Sequence, residues 1–316
     1  MFPQEWRNTE MTNTLLGGAI GDALGVPFES KPASNPLLLA WDQESFLGSE
    51  HHKLLPGQYS DDTMMSLAVA GSLIDNNGFD PVDLAKRYVE LFTSNTIRGY
   101  GTTTFLAIAN LIQGKHYSES GMAGSWGNGT AMRAAPFGIY LRHDLKTLIE
   151  ACRVDAQITH ASDEAIAGSI AIALAAAYAT NGDTDNLIEK IVPHLPDSKV
   201  KTTLHSLDAL LGNPKISSEM ALRALGTKAD VRETVPATLY CFLRFDNYRE
   251  AVLAAIKAGG DTDTTASIVG ALFGAKSGVQ NILPYWVSQV EDSSKLMTLD
   301  SQLYNRSNGS FLMRSS

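Results

Sequence analysis

Apolar residues recur at helical spacing through almost the whole chain, and no convincing apolar/polar alternation bounded by hairpin turns interrupts them. Without strand material, the core must be built by packing helix on helix. Leu15 to Leu24 is rich in Gly and Ala, which suits a helix lying close against others. Asp61 to Ile74 has acids in its first turn and apolar residues along one face. Asp80-Pro81 reads as an N-cap followed by proline at the first helical position. The pattern predicts further helices at 81–94, 102–113, 130–142, 144–157, 162–181, 185–192, 198–211, 217–224, 231–244, 247–258 and 261–276. No fixed-period repeat and no low-complexity linker divides the chain. The expectation is an all-α, single-domain bundle of many helices spanning 1–316, with its core at about 11–290. The main irregular stretch is 30–58, which carries Pro32, Pro36, Pro56, Gly57 and the pair His51-His52. A long loop of this kind is often functional. Adjacent histidines with no third ligand nearby read as solvent-exposed.

Composition narrows the function. Of 316 residues, 44% are hydrophobic and only 19% charged, so a substantial core is available. Lys plus Arg is 25 against 34 for Asp plus Glu, a net charge of -9. Direct binding of duplex nucleic acid needs a basic surface and is not expected. A small anionic ligand remains compatible, since a metal ion or a helix N-terminus can supply local positive charge. The two cysteines, Cys152 and Cys241, have neither metal-ligand spacing nor a disulfide framework, and read as buried free thiols. Met1 to Arg7 lacks the apolar core of a signal peptide. The Ala-rich stretch Ile170–Ala179 is too short to span a bilayer. A cytoplasmic protein with no membrane association, and a monomer, is the expectation.

Two acidic clusters carry the chemistry. The first is Tyr59-Ser60-Asp61-Asp62-Thr63; the second is Gly259-Gly260-Asp261-Thr262-Asp263-Thr264-Thr265. Each opens a predicted helix, where acids have the ordinary role of capping and complementing the dipole. Two such clusters are harder to explain that way, because adjacent carboxylates repel unless a cation compensates. Oxygen donors from Asp, Ser and Thr suit a hard cation such as Mg²⁺, and no His or Cys within the clusters favours zinc. Brought together, they would hold a metal pair about 3.5–4 Å apart. Asp261-Thr262-Asp263-Thr264 also fits the D-x-D-x-T pattern of haloacid dehalogenase-type phosphotransferases. In those proteins an apolar strand near the chain start precedes the motif, whereas here a helix ending in glycines precedes it near the other end. The EF-hand spacing fails as well.

At these residues the chain resembles the ADP-ribosylglycohydrolase family, which includes the dinitrogenase reductase-activating glycohydrolase and the vertebrate ADP-ribosyl-acceptor hydrolases. Five blocks stand in family order between about Leu15 and Gly274. They are Gly17 to Gly25 with Glu29 beyond it, Ser60-Asp61-Asp62-Thr63, Arg98-Gly99-Tyr100-Gly101, Gly127 to Arg133, and Gly260 to Thr264. The Thr159-His160 pair fits too. The resemblance implies an orthogonal all-α bundle. It implies two Mg²⁺ or Mn²⁺ ions held by Ser60, Asp61, Asp62, Asp261, Asp263 and Thr264. Family members usually carry Thr where this chain has Ser60, and both offer a hydroxyl oxygen. Glu29 matches a glutamate beside the scissile bond in some members, although its composition-level reading is an exposed loop acid. Asp22 corresponds to a structural position.

The glycine-rich blocks suit a dinucleotide-like ligand. Gly99, Tyr100 and Gly101, with Ser125, Trp126, Gly127, Asn128 and Gly129, can bring backbone N–H groups to a pyrophosphate. A helix starting near Thr130 and running through Met132 would add its positive end. Trp126 is a candidate to stack on adenine, against the plain alternative of a core or rim Trp. Ser125-Trp126 resembles the Ser-aromatic pair of the serine-directed members. His160 is a structural residue by default, and the resemblance brings it to the diphosphate. Arg133 reads as an ion-pair partner within the bundle. The implied activity is hydrolysis of the C1″ glycosidic bond of ADP-ribose conjugates, on an ADP-ribosylated protein or a small ADP-ribosyl ester. Either Glu29 or Asp61 would be the principal base. The alternatives are a catalytically silent ADP-ribose or nucleotide binder, and a metal hydrolase of another glycoside or phosphoester.

Overall fold

Short polar residues set where the helices of this protein begin. The computed structural model describes residues 12–94, 98–278 and 282–314; the amino-terminal residues read above for a leader lie outside the described residues. Asp80, Asp144, Ser162, Ser198, Ser217, Asp230 and Asn247 each stand at an N-cap and accept a first-turn backbone N–H.

The first half contains α1 (Thr14–Gly25), α2 (Pro36–Ala40), α3 (Asp61–Asp75), α4 (Pro81–Thr93), α5 (Thr102–Ile112), α6 (Tyr117–Ser120), α7 (Ala135–Leu141) and α8 (Leu145–Thr159). There follow α9 (Asp163–Thr180), α10 (Leu187–Ile191), α11 (Lys199–His205), α12 (Leu207–Leu211), α13 (Ser218–Leu225) and α14 (Val231–Arg244). The last are α15 (Tyr248–Lys257), α16 (Thr262–Ser277), α17 (Pro284–Gln289) and α18 (Ser293–Arg314). Among the described residues the only sheet is a two-residue antiparallel pair, β1 (Lys31–Pro32) with β2 (Gly259–Gly260), Lys31 opposite Gly260. The protein is all-α, as the periodicity requires.

Two expected helices differ from the pattern. The helix expected at 130 begins at Ala135, where Pro136 presets the first turn. Residues 128–134 form successive turns instead, with Ala131 and Met132 both donating to the Asn128 carbonyl. The span 198–211 is broken at Ser206, whose N–H and hydroxyl both turn back to the Thr203 carbonyl.

Helices α9 and α16 form the middle of the molecule and are buried around nearly their whole circumference. Against α16 lies α1, antiparallel and without side chains between the backbones. A Cβ added at Gly17 would come 2.3 Å from the Gly270 carbonyl oxygen, and one at Gly21 would come 2.1 Å from that of Ala266. The end of α1 therefore meets the start of α16, where the Thr262 hydroxyl donates to the Gly25 carbonyl at 2.8 Å. At the opposite end, Asp300 of α18 accepts the backbone N–H groups of Leu15 and Leu16, capping α1 from across the fold. Burial pushes the Asp300 carboxyl up to about 8. Among the described residues no helix is long and apolar enough to cross a membrane.

Candidate active site

The first acidic cluster is held from below by Asp22 of α1. Its carboxylate accepts the backbone N–H of Ser60 at 2.9 Å, that of Thr63 at 3.1 Å, and the Thr63 hydroxyl at 2.6 Å. Asp22 thus caps α3 from another helix and is itself wholly buried, which raises its carboxyl to about 6. Ser60 is the N-cap of α3, and its hydroxyl lies 3.2 Å from Asp62 Oδ2. Asp61 is fixed through its backbone, its N–H donating to the Arg98 carbonyl at 2.8 Å.

The second cluster is placed by the β1–β2 pair. Gly259 and Gly260 both have positive φ, +71° and +81°, and the backbone of Lys31 to Ala33 packs where a side chain on Gly259 would stand. Ser30 donates to the Gly260 carbonyl at 2.7 Å. The pairing sets Glu29 beside Asp261. Asn128 donates its side-chain amide to Asp261 Oδ2 at 2.5 Å and to the Thr234 hydroxyl at 2.9 Å.

The two clusters converge. Thr264 Oγ1 reaches Asp62 Oδ2 at 3.4 Å, across 202 positions of sequence. Carboxylate oxygens of Glu29, Asp261 and Asp263 lie within 4.8 Å of one another. Asp61, Asp62, Asp261 and Asp263 are all buried. Burial holds Asp61, Asp62 and Asp263 well above the ordinary carboxylate range, and neighbouring carboxylates push the same way. Asp261 is also raised by burial, against the hydrogen bonds from Asp263 and Asn128. Asp62 Oδ1 and Asp263 Oδ1 are buried without a hydrogen-bond partner. Unsatisfied oxygens on crowded carboxylates, with no Lys or Arg among the described residues lining the cavity beside them, fit a donor set for hard divalent cations.

That cavity has a volume of about 250 Å³. Of the residues singled out from sequence, Glu29, Asp61, Asp62, Gly99, Gly101, Gly127, Asn128, Gly129, Met132, His160, Asp261, Asp263 and Thr264 line it. Ser60, Tyr100, Ser125, Trp126 and Thr130 do not. Tyr100 packs against Phe92, with its hydroxyl buried and unpartnered. Ser125 shares a hydrogen bond with Thr103 at 3.0 Å. Trp126 is 51% exposed, with the Arg232 guanidinium 3.7 Å from its ring centre. Thr130 is fully buried and donates to the Ala165 carbonyl; with α7 starting only at Ala135, no helix N-terminus stands there.

His160 sits at the end of α8, its ring against Gly127 and Gly129. Burial, and then the nearby Arg133 charge, lower it to about 3, so the imidazole is neutral. Arg133 is fully buried and paired with Asp155, at 3.0 Å from Nε to Oδ2. It also donates to the Gly129 carbonyl and the Thr159 hydroxyl, so this ion pair shapes the turn that lines the cavity.

Sequence reasoning missed Ala229, which lines the cavity, and four further contributors. Thr102, Thr103 and Thr104 line the cavity at the first turn of α5, and their run directly after Gly101 was a visible signal. His52 was expected in solvent; instead its side chain is only 10% exposed and touches Glu29.

The family model described as ADP-ribosylglycohydrolase matches residues 5–311. ADP-ribosylhydrolase ARH3 of Mus musculus is 28% identical over 336 residues, covering 92% of this chain and 90% of that protein. ADP-ribosylarginine hydrolase Tri1 of Pseudomonas putida is 27% identical over 299 residues, covering 92% of this chain and 77% of the relative. A solved structure described as an ADP-ribosylglycohydrolase-related protein complex superposes with a TM-score of 0.78 at 26% identity, covering 96% of this chain and 99% of that one. With a family match over nearly its full length, this chain belongs to the ADP-ribosylglycohydrolase family.

Proposed function

We propose that this protein hydrolyses the C1″ glycosidic bond of ADP-ribose conjugates in a reaction that depends on two divalent cations, Mg²⁺ or Mn²⁺. The observation that carries the reading is the meeting of Asp62 with Thr264, beside the carboxylates of Glu29, Asp261 and Asp263. Ser60, Asp61, Asp62, Asp261, Asp263 and Thr264 would hold the cations. Bound there, the ions would neutralise the clustered carboxylates and supply Lewis acidity at the ribose.

The chain's own groups do the rest. Breaking a glycosidic bond builds oxocarbenium character at C1″, which nearby carboxylates stabilise. Glu29 is the partly open carboxylate at this place, with 26% of its side chain exposed. It can take a proton from water or give one to the leaving group. Asp61 is more deeply buried and shares the task of holding the site together. Backbone N–H groups of the Gly99–Gly101 and Gly127–Gly129 segments, with neutral His160, offer donors to a diphosphate. Trp126 presents an exposed aromatic face next to that segment for a base. The acceptor is an ADP-ribosylated protein side chain or a small ADP-ribosyl ester.

A substrate panel run with metal and with chelator tests this reading. ADP-ribosyl-arginine, ADP-ribosyl-serine, O-acetyl-ADP-ribose and p-nitrophenyl phosphate would be compared. Release of ADP-ribose from at least one conjugate, abolished by chelator, is expected. Turnover of the phosphoester alone, or equal rates in chelator, would contradict it. Asp61→Asn and Asp263→Asn are each expected to lower turnover on the order of 10²-fold or more and to weaken Mn²⁺ binding; wild-type rates in either would remove the site assignment.

A further inference from the structure

We propose that His52 is the positioning residue for Glu29, holding its carboxylate over the acidic cluster through a hydrogen bond from Nε2. This rests on the reading of Glu29 as the group that moves the proton. A glutamate side chain has three freely rotating bonds, and the carboxylates of Asp261 and Asp263 beside it offer repulsion rather than a hydrogen bond. Something must hold it in place. Among the described residues, His52 is the one hydrogen-bond partner of the Glu29 carboxylate. A carboxylate only accepts, so the imidazole nitrogen donates.

The loop is built to deliver that ring. Ser49 and Leu54 exchange backbone hydrogen bonds at 2.9 and 3.0 Å, closing a tight turn with Lys53 at a φ of 55°. The His52 N–H points back to the Ser49 hydroxyl. The loop's base is tied down where Trp286 donates to the Glu44 carbonyl and Glu291 to that of Gly57. The Cε1–Nδ1 edge of the ring lies next to Gly99, at a φ of +96°. A Cβ there would stand 3.3 Å from His52 Nδ1 and 3.2 Å from Asp61 Oδ1. The His51 ring closes the remaining edge at 4.5 Å. The positive φ already favours glycine at 99, and a side chain there would also crowd the imidazole and Asp61. The residues from 41 to 58 act on the chemistry through one side chain and set the orientation of Glu29.

Steady-state kinetics on the conjugate that the wild-type enzyme turns over, with saturating Mg²⁺, test the proposal alongside Mn²⁺ calorimetry. His52→Ala is expected to lower kcat roughly 10–100-fold, the range for residues that orient a catalytic group. KM and the Mn²⁺ affinity should stay within about 3-fold. His52→Gln carries an amide N–H to the Nε2 position without the ring and should recover most of the rate. His52→Phe keeps the packing on Gly99 without the donor and should not recover it. The Glu29→Gln, His52→Ala double variant should be no slower than Glu29→Gln alone, because the two act as one unit. Wild-type kcat in His52→Ala or His52→Phe, with Glu29→Gln inactive, overturns the role of His52 alone. Multiplicative losses in the double variant do the same. A Glu29→Gln rate equal to wild type overturns the reading of Glu29 and this proposal with it.

Discussion

Carboxylates that repel one another are kept side by side by polar partners on neighbouring elements. Asp22 fixes the start of α3, Asn128 holds Asp261, and the Arg133–Asp155 pair sets the turn carrying Gly129 and His160. His160 gives a pH signature. Its folded value of about 3 lies below the ordinary 6.5, so the unfolded chain binds the extra proton between those limits. Stability is then fully present above pH 6.5 and declines as pH falls toward 3, by about 2 kcal/mol between pH 7.5 and 5. His160→Gln should remove that part of the acid slope in denaturant titrations; an unchanged slope would mean the ring is not buried neutral. At this scale the acids and glycines were legible because they stand in short dense runs whose chemistry needs no tertiary context. His52 was not, because its neighbour Gly99 is 47 positions away and paired histidines in a proline-bearing loop look solvated. Ser60, by contrast, reads from sequence as a metal ligand, and the structure shows its hydroxyl as the cap of α3.

At the scale of elements, the α1–α16 contact decides where the site lies. Because the two backbones touch, the end of α1 delivers Glu29 to the start of α16, which carries Asp261 and Asp263. Gly21→Ala would drive a methyl to 2.1 Å from the Ala266 carbonyl oxygen. It is expected to cost about 2 kcal/mol or more and to lower Tm by about 3 °C or more. A Tm unchanged within error would show that the helices do not approach this closely. Helices such as α4 and α8 could be read from periodicity because one side of each sequence pattern matches one packed face, and α9 from the length of its apolar run. The short ones could not. The helices α2, α6 and α17 have four to six residues each, too few to establish a period, and α18 lacks a strong apolar stripe. The start of α7 was misread because turns tied down by Asn128 and Arg133 carry the same apolar residues a helix would.

For the whole molecule, the cluster trades stability for function. Four buried aspartates face one another with no basic side chain among the described residues lining their cavity, so the metal-free protein carries repulsion that cations would relieve. Mn²⁺ at 100 times its Kd is expected to add about 2.7 kcal/mol to the unfolding free energy, seen as a rise in Tm that chelator reverses. Asp263→Asn should raise Tm in chelator and forfeit most of the metal-induced rise. If Mn²⁺ left Tm unmoved, or if Asp263→Asn shifted as far as wild type, the coupling between the cluster and the cations would be absent. The convergence of residues 61–62 with 261–264 onto a cation pair is the central claim, and anomalous diffraction from crystals soaked in Mn²⁺, recorded at the manganese edge, measures it most directly. The account predicts two peaks between the carboxylates of Asp61 and Asp62 and those of Asp261 and Asp263, lost in Asp263→Asn. Crystals saturated with Mn²⁺ that show no peak between those side chains would contradict it.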